Sequence, residues 1–222
     1  MYDYRHMTES ERSQAVEYRR ARHQPWHAPS HGELGFTNQF FITSACYEHA
    51  PIIGKLPARI AECEEQLLSV CREYSLKTHS WCVLPNHYHV LVKTDLIKEL
   101  CEELGRFHGR SSFIWNGEDQ SRGRKVWYRC FDREIRSERH FWASVNYIHH
   151  NPVHHGYVEK WEEWPWSSAS EYLRQIGREE AVRIWQKYPI LDYGKGWDAK
   201  NPPEGGTPNA VVQNIDGCHS VE

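Results

Sequence analysis

From Asn38 onward, stretches of two-residue alternation take turns with stretches of helical spacing. NQFFITSACYE (38–48) is apolar and strand-prone, and predicts a first strand. In ARIAECEEQLLSVCREY (58–74), Ile60, Cys63, Leu67, Leu68 and Cys71 recur at helical spacing, so this segment predicts an amphipathic helix. SLKTHSWCVLP (75–85) and HYHVLVKT (87–94) predict two strands joined by a tight turn at Pro85-Asn86. A second helix is expected from about Leu96 through CEELGRFHGRSSFIW, followed by the polar loop NGEDQSRGRK. KVWYRCFDREI (125–135) predicts a fourth strand, and SERHFWASVNYIHH (137–150) a third helix with Ser137 as its cap. That helix is expected to stop at Asn151-Pro152, because a residue before proline avoids helical geometry. After a corner at WEEWPWSSASEY, one more helix is expected from Glu179 to Lys187.

The order strand, helix, strand, strand, helix, strand, helix predicts an α+β fold, a ferredoxin-like antiparallel sheet with helices packed on one face. The expected layout is a polar, basic arm over residues 1–35, one domain over 36–174, and a C-terminal helix with an irregular tail rich in Gly, Pro and Asn over 175–222. Trp81, Trp127 and Trp142 fall where core packing explains them, and Trp164 and Trp166 around Pro165 predict a structural corner.

Composition narrows this picture only a little. Hydrophobic residues at 39% and charged residues at 26% fit a globular chain with a core. No apolar run approaches the roughly 18 residues of a membrane span, and MYDYRHMTESERSQ lacks a secretory leader, so the cytoplasm is the expected compartment. The seven cysteines include no CxxC pair, which argues against a zinc ribbon and for reduced core thiols. A net charge of −3 excludes a wholly basic nucleic-acid binder. Its distribution is uneven: Arg106 to Arg139 holds nine Lys/Arg against five Asp/Glu, while Glu159 to Glu180 holds six acidic residues against three basic. A basic middle of this kind can face phosphates, although solvated charged faces are commoner.

His87 and His89 are two apart on an expected strand, so both imidazoles project from one face and can reach one ion; Tyr88, Val90 and Val92 would face the other way. A bare HxH is more often two half-exposed histidines. Tyr147 and Asn151 are four apart on an expected helix and therefore neighbours on its surface. A helix packed on the sheet can bring that phenol and that amide over the histidine pair, although a lone tyrosine on an amphipathic helix is more often a core aromatic. Two imidazoles and an amide oxygen leave open positions on an ion such as Mg²⁺ or Mn²⁺.

The segments WCVLPNHYHVLVKT (81–94) and YIHHNPVHHGYVEKWEEWPWSSASEY (147–172) closely resemble the REP-associated tyrosine transposases, single-tyrosine relatives of small insertion-sequence transposases with a His-hydrophobic-His motif. HYH is similar to that motif, with Tyr88 in the hydrophobic slot, and YIHHN to the family's Tyr-x-x-x-Asn/Gln motif. KVWYRCFDREIRSE resembles the strand and turn before the family's tyrosine helix, and the likeness covers about residues 36 to 172. The resemblance implies His87 and His89 as ligands of a divalent metal, Tyr147 as nucleophile and Asn151, where many relatives have Gln, as the residue that completes the metal site. It implies a metal-dependent single-strand endonuclease and strand transferase that acts through a covalent phosphotyrosine on hairpins of repeated extragenic palindromes. The implied setting is the bacterial cytoplasm, as monomer or homodimer. Further DNA contacts are expected from Arg19, Arg20, Arg22 and Trp26 in the arm, from Arg133 in the basic stretch, and from His150 beside the tyrosine. His149, His150, His154 and His155 are expected to form a polar rim, since successive helical residues point about 100° apart and cannot all converge.

Two rivals stand beside the enzyme. One is a hairpin-binding regulator on the same fold that has lost its chemistry. The other is an RNA-binding sheet, which would show a Gly- and aromatic-rich strand signature that the sequence lacks.

Overall fold

A computed structural model describes residues 38–190, together with Thr8 and Ser10. Among the described residues, four strands and five α-helices follow in order: β1 (Gln39–Ala45), α1 (Pro57–Tyr74), β2 (Lys77–Val83), β3 (His87–Lys93), α2 (Ile97–Glu118), β4 (Phe131–Glu134), α3 (Glu138–His154), α4 (Ala169–Ile176) and α5 (Arg178–Lys187). The sheet order is β2-β3-β1-β4, antiparallel throughout. This is the split βαββαβ arrangement that the element order predicts. Residues 19, 20, 22 and 26 lie outside the described residues.

Strand alternation sorts the sheet into two faces. Ile42, Tyr88, Val90 and Val92 join Ile60, Cys63, Leu67, Val70 and Cys71 of α1 and Leu100, Leu104 and Phe107 of α2 in the larger core. Phe41, Cys82 and Leu91 look the other way and meet Phe141, Val145 and Ile148 of α3, with Trp164 beyond. The two crossover helices thus share one face, as expected, and the third covers part of the opposite face. Because β3 lies between β2 and β1, its residues are buried on both sides.

The tip of the β2–β3 hairpin is held in a fixed place. Leu84 N–H donates to His87 O (2.8 Å), closing the turn, and Gly54 N–H donates to Pro85 O (2.8 Å). Gly54 is required there: a Cβ on it would stand 2.3 Å from Pro85 Cβ and 2.8 Å from Pro85 Cα. The 3-10 turn Ile53–Lys55 therefore packs directly on the loop that presents His87.

Three sequence expectations need correction. The fourth strand covers only Phe131–Glu134; upstream, an isolated bridge joins Trp127 to Cys46. Trp127 keeps that bridge while its side chain fills the core, stacked on His108 at 4.3 Å and donating from Nε1 to Ser111 Oγ (3.0 Å). The third helix starts as expected, with Ser137 Oγ accepting from His140 N–H (3.1 Å), but it runs through Pro152 to His154. Pro152 sits in the last turn, where little of the helix remains to be broken, and buried Asn151 holds the chain against β3. Finally, the segment read as part of a corner contains α4, whose spacing of Ala169, Tyr172, Leu173 and Ile176 was the available signal. The Trp-Pro-Trp corner is real: Trp164 Nε1 donates to Val83 O (2.9 Å) and Val83 N–H to Trp166 O (2.9 Å).

Candidate active site

His87 and His89 stand on one face of β3, with ring centroids 4.8 Å apart. The helix α3 packs across β2 and β3 on that face. It brings Tyr147 to 5.2 Å from His89, ring to ring, and Asn151 one turn later beside His87. Phe41 of β1 stacks on His89 at 5.3 Å and meets Tyr147 edge-on at 6.2 Å, so the phenol and the imidazole share one aromatic support. The structure therefore collects His87, His89, Tyr147 and Asn151 from two distant segments.

The protonation of the pair follows from burial. Desolvation, with a smaller contribution from His155, pushes the His87 pKa down to about 3. Burial, then His87 and His155, holds His89 well below the usual imidazole range. Both rings are neutral at pH 7. A neutral imidazole carries a single ring proton, yet His87 faces an amide oxygen on each side: Nδ1 to Asn86 Oδ1 at 2.7 Å and Nε2 to Asn151 Oδ1 at 3.0 Å. With the proton on Nδ1, the Nε2 and Asn151 lone pairs oppose each other, an arrangement that a shared cation relieves. Neighbouring oxygen or nitrogen ligands on an octahedral ion, at about 2.1 Å each, lie roughly 3.0 Å apart. His89 adds a second sign. Among the described residues neither of its ring nitrogens meets a hydrogen-bond partner, although the residue is 5% exposed, and Asn151 Nδ2 is likewise orphaned. Buried polar atoms are normally paired, so orphans in one cluster point to an absent ligand. The residues fit a divalent cation held by His87, His89 and Asn151. Among the described residues no group of three His, Cys, Asp or Glu is placed to hold a metal, so a cation here would need the Asn151 amide as well.

The other expected contacts divide. Arg133 lies on β4 directly across from Phe41 and shares the histidine face. His150 does not join the site; it packs on Trp185 of α5 at 5.0 Å. The expected rim is also corrected in part: His149 is buried, with Nε2 2.9 Å from Ser168 Oγ and its ring stacked on Trp161, whereas His154 and His155 are exposed. Sequence reasoning passed over two neighbours of the pair, Asn86 at His87 Nδ1 and His155, whose ring lies 5.0 Å from His87. Asn86 could have been found from its place in the hairpin turn. Four of the nine basic residues counted from Arg106 to Arg139 are held in ion pairs: Arg106 and Arg110 with Glu103, Arg124 with Asp119, and Arg136 with Glu134.

No family model matches the chain. Curated relatives do. A Haemophilus influenzae protein named for the REP-associated tyrosine transposases is 29% identical over 139 residues, covering 54% of this chain and 73% of the relative. An Escherichia coli REP-associated tyrosine transposase is 31% identical over 114 residues, covering 50% of this chain and 64% of the relative. A solved structure of a REP-associated tyrosine transposase bound to a REP hairpin superimposes with a TM-score of 0.49 at 19% identity, over 62% of this chain and 80% of that one, a likeness too partial to carry weight. By sequence, the chain is similar to proteins named as REP-associated tyrosine transposases, the family its two motifs resemble.

Proposed function

We propose that this chain is a metal-dependent endonuclease and strand transferase that cuts single-stranded DNA beside a hairpin, with Tyr147 as its nucleophile. The observation that carries the reading is the packing of the Tyr147 ring 5.2 Å from a buried His89 whose nitrogens have no partner among the described residues. The substrate class follows from kinship with proteins named for REP elements.

His87, His89 and Asn151 would hold a Mg²⁺ or Mn²⁺ ion, which would supply Lewis-acid polarisation of the scissile phosphate. Asn86 fixes the His87 ring by accepting at Nδ1, which leaves Nε2 to the site. Phe41 supports both His89 and Tyr147, so the phenol is positioned before DNA arrives. The Tyr147 oxygen attacks phosphorus, a bond forms between them, and the bond to the 3′ oxygen of the preceding nucleotide breaks. The phenol proton leaves to water, and the departing 3′ oxygen takes one up. The phosphotyrosine keeps the phosphodiester's free energy, so a later 3′ hydroxyl can displace the tyrosine and rejoin the strand.

The test is Tyr147→Phe, assayed on hairpin oligonucleotides with unpaired tails and Mn²⁺. Cutting and the covalent protein–DNA adduct should vanish, while hairpin affinity stays within about twofold, because the aromatic packing is kept. Normal cutting by the variant would overturn the assignment.

A further inference from the structure

The face of the sheet that carries the histidines is only partly covered. Helix α3 lies over β2 and β3, and on β4 the cover thins along the strand direction. Just past the strand's end Ile135 is buried in the α3 cluster, Arg133 is half-buried, and Phe131 is 37% exposed. Antiparallel pairing fixes which residues share this face. Phe131 lies opposite Thr43, and Thr43 lies opposite His89, so the three form one rank across the sheet. Arg133 lies opposite Phe41 in the next rank, with its guanidinium carbon 5.8 Å from the Phe131 ring centroid. Between the exposed phenyl and the histidines the floor is Thr43 and Ala45, both small and both half-buried. At about 4.8 Å per strand, Phe131 stands roughly 10 Å from His89 along this floor.

We infer that Phe131, Thr43 and Arg133 form a subsite for one unpaired nucleobase of the strand whose phosphate is cut at His87, His89 and Tyr147. This rests on the DNA-cutting reading of that centre and extends it to how the strand is gripped. An exposed aromatic on a sheet face offers a stacking surface to any base, the shallow floor admits a flat ring, and a neighbouring arginine answers the adjoining phosphate. Core packing does not require a phenylalanine at this position, because Phe131 belongs to neither core cluster and is 37% exposed.

The experiment uses the full chain and a fluorescein-labelled DNA hairpin with an unpaired dT tail, read by fluorescence anisotropy. An abasic residue is moved along the tail one position at a time. With the wild-type protein, one tail position should show a loss of roughly tenfold in affinity when made abasic. Phe131→Ala should lose roughly tenfold on the intact probe and nothing further on that abasic probe, with an unchanged melting temperature. Phe131→Trp, with a larger stacking surface, should bind as tightly as wild type. Wild-type affinity in Phe131→Ala, or losses that simply add, would overturn the subsite while leaving the cutting centre standing. Failure of the wild-type protein to bind any tailed hairpin would remove both.

Discussion

At the scale of single residues, His89 is the most informative side chain in the molecule. A buried imidazole without partners is a cost to folding unless something occupies it, and a leucine in its place would meet Phe41 and Leu91 without leaving a polar orphan. His89→Leu is therefore expected to fold at least as stably as wild type in the absence of metal. Added Mn²⁺ separates the two proteins. At about one hundred times its dissociation constant, an ion that binds only the folded state contributes about 2.7 kcal/mol, which raises the wild-type melting temperature. The variant should show almost none of that rise, and Asn151→Leu should lose most of it as well. Equal metal-induced shifts in all three proteins would refute the ligand set. The pairing of His87 with His89, and of Tyr147 with Asn151, was legible because each rests on a single period, two on a strand and nearly four on a helix. The place of His155 at His87 was not, because it depends on where the end of α3 comes to rest.

At the scale of elements, the site is a meeting of one hairpin and one helix, and both are positioned from outside. The hairpin tip leans on Gly54, where a methyl group has no room against Pro85. Gly54→Ala should cost about 1–3 kcal/mol as an overpacking change and should displace the turn that carries Asn86 and His87. Its check is a pair of measurements, urea unfolding for the stability loss and the Mn²⁺-dependent melting shift for the site; an unchanged midpoint would show that the contact yields freely. Helix α3 is held from its far side by α5: Asn146 Nδ2 donates to Tyr188 O (2.9 Å) and the Tyr188 hydroxyl to Glu138 (2.6 Å). Strand–helix alternation made the sheet and its two crossover helices readable. The break in β4 and the passage of α3 through Pro152 were not readable from the local pattern: Trp127 pairs with Cys46 apart from the strand while its ring fills the core, and Asn151 is 1% exposed against the histidine strand. Local preference yielded to packing at both places.

Across the whole molecule, buried histidines set the acid limit of the fold. His87 and His149 are both buried and both pushed down to about 3 by desolvation, and His89 lies well below its ordinary value for the same reason. In the unfolded chain these rings titrate near 6.5. Between that value and the folded one, the unfolded state binds protons that the folded state refuses, so stability rises with pH through this window and levels off above it. At pH 5 each of His87 and His149 costs about 2 kcal/mol relative to pH 7.5, a large share of the 5–15 kcal/mol that holds a domain together. Carboxylates act lower down: the Arg59 guanidinium, followed by Lys55 and Arg124, holds the Asp119 pKa far below the usual range, so its contribution is lost only as pH falls below about 4. The expected result is a urea midpoint that is flat from pH 8 to about 7 and falls steadily below about 6.5. His149→Gln, whose amide can still meet Ser168, should make that fall shallower by about one proton. A midpoint that holds level down to pH 5, or a slope untouched by the substitution, would mean that these rings take up protons in the folded chain.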